Sequence, residues 1–186
     1  MEPTAERYVP PPVGTTWERV QTDTGSYGSQ SAKSIGKRGE GMYQGKPVIT
    51  FELATGTVFA QQDGSWIGIF KGDTPVITWD PPLNWRYPLK VGKTWTREQR
   101  MTIHAAKRTM PYKDEQKVEA YEDVTVPAGT FKTFKVRTLS SFGDDNIVWF
   151  SPEMGIFVKV HNTRTAKHPQ GPGTRVIELL SYKRGG

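Results

Sequence analysis

The sequence predicts an all-β fold: an antiparallel β-sandwich or open β-barrel of roughly ten to twelve strands, or two related halves of such an array. Three observations predict it. Apolar residues recur at every second position over most of the chain. The runs are short and separated by turn residues rich in Gly, Pro, Asn and Asp. No segment holds the i, i+3, i+4 apolar spacing of an amphipathic helix.

Residues 1–12 end in Pro10-Pro11-Pro12 and hold little to bury, so they read as a flexible, polyproline-like tether ahead of one β-rich domain over 13–186. Val13–Val20 opens a strand. Residues 22–46 are rich in Gly, Ser, Thr and Lys and read either as a mobile loop or as polar edge strands around Ser31–Ile35. From 47 to 79 the pattern describes a four-strand meander. Ile49, Phe51 and Leu53 share one face, Thr50 and Glu52 the other. Asp63-Gly64 supplies a hairpin turn, and Trp66–Phe70 is apolar on both faces, as in a central strand.

The stretch Asp80–Leu89 carries three prolines, which remove ladder donors, so it reads as a long aromatic loop. After it, Val91-Gly92-Lys93-Thr94-Trp95 echoes Val13-Gly14-Thr15-Thr16-Trp17. The echo means either two β modules of similar plan or a coincidence in a Val/Gly/Thr-rich chain. Residues 93–110 lack Gly, and Trp95, Met101, Ile103 and Ala105 share odd positions, so strand is preferred to helix. Lys113–Glu122 has the best helix propensity, but Val118, Ala120, Val124 and Val126 keep one parity and again favour strand. Phe134, Val136 and Thr138 oppose Lys135 and Arg137. Ile156, Val158 and Val160 alternate with Phe157, Lys159 and His161. Val176–Tyr182 is the last strand.

Composition removes several kinds of chemistry. The 186 residues include no Cys, which excludes disulfides, zinc–thiolate sites, iron–sulfur clusters and cysteine nucleophiles. The 6 Trp, 8 Phe and 7 Tyr are enough to build a large core without such staples. No run of 18 apolar residues is present to span a membrane as a helix, and no basic-then-apolar leader is visible; Met1-Glu2-Pro3-Thr4 reads as an initiator ahead of a mature segment. The net charge of +6 favours anionic partners or solubility alone.

His104, His161 and His168 lack metal-ligand spacing and read as surface side chains. No Gly-x-Ser-x-Gly elbow and no phosphate-cradling Gly loop occurs, so no catalytic residue, metal ligand or cofactor is assigned. Acids cluster at Asp114-Glu115, Glu119, Glu122-Asp123 and Asp144-Asp145; a glycosidic hydrolase would need two of them facing each other, whereas solvated strands and hairpin tips explain them as well. Two features stand out. Trp79, Trp85 and Tyr87 can stack on a sugar or line an acyl pocket, or else plug one end of the core. Lys132, Lys135 and Arg137, with Lys159 nearby, form a basic face that either attracts anions or is merely solvated. Only Phe131 and Phe157 are interleaved with this basic surface, which argues against nucleic acid as a partner.

Three strings carry a resemblance: Pro81-Pro82-Leu83 through Tyr87-Pro88-Leu89-Lys90-Val91-Gly92-Lys93-Thr94-Trp95; Val124–Val136, which contains Val-Pro-Ala-Gly-Thr-Phe; and Trp149–Lys159, which contains Ser-Pro-Glu-Met-Gly. They resemble a bacterial family of uncharacterised exported β-rich proteins and lipoproteins. The resemblance implies a periplasmic or cell-envelope protein without assigned activity, held to a membrane, if at all, by an N-terminal lipid. It carries no catalytic residues. The resulting expectation is a non-enzymatic envelope protein that binds a lipid, a glycan or a protein partner. The alternatives are a hydrolase of envelope glycan and a structural subunit of an envelope assembly.

Overall fold

Period-two alternation becomes twelve strands in a computed structural model that describes residues 1–186. They are β1 (Thr16–Gly25), β2 (Ser31–Tyr43), β3 (Lys46–Leu53), β4 (Gly56–Ala60), β5 (Trp66–Lys71) and β6 (Thr74–Leu83), then β7 (Thr94–Ile103), β8 (Arg108–Val126), β9 (Gly129–Ser140), β10 (Asp144–Ser151), β11 (Ile156–Arg164) and β12 (Gly173–Lys183). Each strand pairs antiparallel with its neighbours in sequence. β1 also pairs with β12, from Thr16↔Lys183 to Gly25↔Gly173, so the sheet closes into a barrel. Closure leaves no unpaired edge, which is the hazard an open sheet of this length would carry.

The two Gly-Thr/Lys-Thr-Trp segments occupy equivalent places. Gly14 and Gly92 both take positive φ, at 85° and 88°, the left-handed region that favours glycine. Gly14 N donates to Arg38 O, and Arg38 N returns to Thr15 O; Gly92 N donates to Val118 O, and Val118 N returns to Lys93 O. Each turn feeds a strand led by a buried tryptophan, Trp17 on β1 and Trp95 on β7, which lie six strands apart in a ring of twelve.

The structure departs from the sequence reading in four places. Residues 31–43 form β2, paired on both sides by β1 and β3, so they are neither a loop nor an edge. Pro81-Pro82-Leu83 continues β6, with Leu83 opposite Trp66. The prolines are tolerated because β6 stops pairing with β7 at Asp80 and a register shift interrupts its ladder with β5, so the missing N–H groups have no partner to disappoint. On β11, a shift between Trp149 and Phe150 of the facing strand turns Phe157 to the same side as Phe150 and breaks the expected alternation. Residues 1–12, finally, lie seated on the barrel rather than hanging free. Ala5 exchanges both backbone hydrogen bonds with Leu89, at 3.0 and 2.8 Å, and both residues are buried. Tyr8 reaches Gly155 O from its hydroxyl at 3.2 Å.

The core is layered by register, since directly opposed residues share a face. Val118, Val136, Val148, Val160 and Ile177 follow one another across β8 to β12. The next level towards the β10–β11 turn is aromatic: Tyr121, Phe134, Phe150 and Phe157. Beyond it the tip of the β8–β9 hairpin folds back. Val124 and Val126 pack with Trp17, Ile156 and Leu179, and Ala128 N donates to Leu179 O at 3.1 Å.

Candidate functional site

The barrel is not filled throughout. A cavity of about 280 Å³ is lined by residues from nine strands, together with Tyr8, Trp85 and Tyr87 from the segments that cross its mouth. Its wall is aromatic at the middle level: Trp17, Phe51, Trp66, Trp85, Phe150 and Phe157. These side chains touch one another edge-on or tilted, Trp85 against Phe150 at 5.3 Å and Phe157 at 5.6 Å, Trp66 against Phe157 at 6.3 Å. Such contacts fix ring positions that would otherwise rotate into the free space. A shallower recess lies outside it. Arg7, Val9 and Gln62 line that recess, and it shares Tyr8, Asp63, Trp85 and Tyr87 with the inner cavity.

Above the valine level, the inward positions turn polar. Gln116, Thr138, Asn146, Asn162, Arg175 and Asp23 follow one another by register from β8 round to β1. Thr138 Oγ1 donates to Gln116 Oε1 at 2.8 Å, while Asn146 Oδ1 is buried with no partner. Two arginines of this end are neutralised in place. Arg97 forms a bidentate pair with Asp114, at 2.8 and 2.6 Å, and Arg175 one with Asp23, at 2.8 and 3.0 Å; both carboxylates are wholly shielded from solvent. The Arg175 guanidinium holds the Asp23 carboxyl below its usual range, against the opposing effect of burial.

Arg19 differs. It points inward from β1 opposite Leu179, lines the cavity, and sits 5.3 Å from the Trp17 ring. Its Nη2 donates to Phe157 O at 2.8 Å, and it pairs with no carboxylate. Burial alone pushes its pKa down to about 10. Burial likewise pushes the phenols of Tyr8 and Tyr87 at the mouth well above the usual tyrosine range.

Of the sequence candidates, Trp85 and Tyr87 meet at the cavity and Trp79 does not. Trp79 lies opposite Met101 on the β6–β7 ladder, its indole Nε1 buried without a partner. Lys132, Lys135, Arg137 and Lys159 face outward, and each has an acid beside it. Lys132 pairs with Asp123 at 2.9 Å, Lys135 with Glu119 at 3.4 Å and Lys159 with Glu178 at 3.5 Å. Arg137 holds Asp145 by a bidentate bond of 2.8 and 2.6 Å. Lys135 and Lys159 also flank the ring of Trp149, whose Nε1 donates to Glu122 at 2.9 Å. The face that the sequence leaves either anion-attracting or merely solvated carries an acid beside each of its bases. The acid clusters are engaged too: Asp144 accepts from Ser140 at 2.8 Å, and Asp63 is the one carboxylate of the cavity wall. Sequence reasoning missed Arg19, although its parity with Trp17 places a cation on an apolar face.

No protein-family model and no curated protein sequence matches the chain. Solved structures do resemble it. The crystal structure of a presumptive lipoprotein from Parabacteroides distasonis ATCC 8503 superposes with a TM-score of 0.53 at 12% identity, covering 96% of this chain and 99% of that one. A presumptive exported protein with a YmcC-like fold from Bacteroides fragilis NCTC 9343 superposes with a TM-score of 0.50 at 14% identity, covering 97% and 100%. At these identities the likeness speaks for the fold, end to end.

Proposed function

We propose that this protein is a non-enzymatic, exported binding protein of the bacterial envelope, which holds a small apolar ligand inside its barrel. The observation that carries the reading is the aromatic-walled cavity of about 280 Å³. Its size falls near the lower end of the ~300–1,000 Å³ typical of small-molecule sites. That volume suits one short acyl chain or one ring system. A two-chain lipid or an oligosaccharide needs more room, and a glycan would need a wall richer in hydrogen-bonding groups. The envelope assignment draws its support from the descriptions of the two structural neighbours, a lipoprotein and an exported protein. Binding is favoured over glycan hydrolysis because the cavity wall presents a single carboxylate, whereas that chemistry requires two.

The test is titration of the full chain with the uncharged dye N-phenyl-1-naphthylamine, read by dye emission and tryptophan quenching. Saturable binding near one-to-one is expected. Trp85→Ala should weaken it about tenfold, the scale of removing one well-packed aromatic contact. No saturable binding, or an affinity indifferent to Trp85→Ala, overturns the reading.

A further inference from the structure

Four arginines point into this barrel, and the fold treats them differently. Arg38, opposite Phe51, donates to Gly39 O at 2.7 Å and lies 3.4 Å from Glu40. Arg97 and Arg175 each receive a fully shielded carboxylate in a bidentate pair. Arg19 receives a single backbone carbonyl and the face of Trp17. An unanswered charge in an apolar interior is a standing penalty, which proteins ordinarily remove by supplying a counter-ion or by placing the group in water. No carboxylate is supplied to Arg19, whose remaining accessible surface opens on the cavity. The same cavity wall holds a second unmet polar group, the buried Oδ1 of Asn146.

A guanidinium is a planar fork whose spare N–H groups match the two oxygens of a carboxylate, and it sheds water more readily than an ammonium does. With Nη2 tied to Phe157 O, the orientation of the fork is set before any ligand arrives. The ring of Trp17 and the backbone of Phe157 flank it, and neither brings a second charge.

We propose that Arg19 is the recognition point for the anionic head of a single-chain amphiphilic acid, whose apolar body occupies the aromatic part of the cavity. This rests on the binding reading above and adds the ligand class: one carboxylate, one short apolar body. The acid is the counter-ion that the fold leaves out.

The experiment is calorimetric titration of the full chain with decanoate and with decan-1-ol, which share a chain length and differ in head charge. The wild type is expected to favour decanoate by about tenfold or more, the scale of a charge-assisted hydrogen bond. Arg19→Met should bring the ratio of the two affinities to about one. Arg19→Lys keeps the charge, loses the fork and should give an intermediate ratio. Equal affinities in the wild type overturn the role of Arg19 while leaving the cavity reading intact, and this arm does not depend on any variant folding. Binding of neither probe overturns the cavity reading itself. A preference for decanoate that survives Arg19→Met, in a variant with native circular dichroism, assigns the head group to another residue and also overturns the proposal.

Discussion

Arg97 and Asp114 face each other across the β7–β8 ladder and close a bidentate pair inside the barrel, Nε to Oδ1 at 2.8 Å and Nη2 to Oδ2 at 2.6 Å. Asp114 also accepts from Gln116 Nε2 at 3.0 Å. Removing the acid strands a buried cation and an amide together. Asp114→Ala should therefore destabilise the protein by about 3–5 kcal/mol. For a chain of this size that is a fall in Tm of roughly 6–20 °C. Urea unfolding with an unchanged slope checks it; a loss below about 1 kcal/mol refutes the pairing as drawn.

Arg19 makes the opposite prediction. No acid is left behind when it is replaced, and the charged form is the one that burial disfavours. Arg19→Met should hold stability or raise it, within the roughly 1–4 kcal/mol range seen when buried charges give way to apolar side chains. Thermal unfolding without ligand is the measurement, and a loss beyond the roughly 1.5–3 kcal/mol of the single charged hydrogen bond to Phe157 O would refute the absence of a counter-ion.

Acid should loosen the barrel, at the β1–β12 closure and between β9 and β10. Hydrogen bonds from Arg175 depress the Asp23 carboxyl, and those from Arg137 depress Asp145, both from an ordinary value of 3.8. A carboxyl depressed in the folded state contributes stability above its unfolded pKa and loses it as pH falls through the folded one. Stability should thus be level above about pH 5 and decline below about pH 4. Asp23→Asn should be less stable at neutral pH and show a shallower decline, because one of the titrating groups has gone.

Alkali tests the mouth. Burial raises the phenols of Tyr8, Tyr87 and Tyr112 above their ordinary value of 10.0. In the unfolded chain they ionise near that value, so their contribution to stability is complete below it and is lost as pH climbs beyond it. Tyrosinate absorbance should show these three phenols silent in the native protein near pH 11 and titrating only as the chain unfolds. Native-state titration of all seven tyrosines, each near pH 10, would contradict their burial.

Gly155 holds the N-terminal segment in place. Its φ of 68° suits glycine, and an added Cβ would run into Val9 O and Pro11. Gly155→Ala should cost about 1–3 kcal/mol and displace residues 7–11. The displacement would appear as faster tryptic cleavage after Arg7, at unchanged β content by circular dichroism. Equal cleavage rates in both proteins would refute that contact.

Much of the wall was legible in the residues. The alternation of Phe134, Val136 and Thr138 against Lys135 and Arg137 assigned inside and outside correctly, because the pleat is a local property of each strand. The echo of Gly14 and Gly92 likewise marked two equivalent strand openings. Phe157 was misassigned because a register shift is invisible without the partner strand. The acids beside the basic face, Glu119, Asp123, Asp145 and Glu178, were not legible because they come from other strands than the bases they pair with.

By itself the sequence determined most of the strands and most of their faces, since those follow from side-chain chemistry within a few residues, though not β2 or the end of β6. Tertiary structure alone decided that β1 meets β12, that Tyr8 and Trp85 stand at the mouth of a cavity, and that Arg97 and Arg175 find acids while Arg19 finds none. Those are distances between residues remote in the chain, and only closure of the ring brings them within reach.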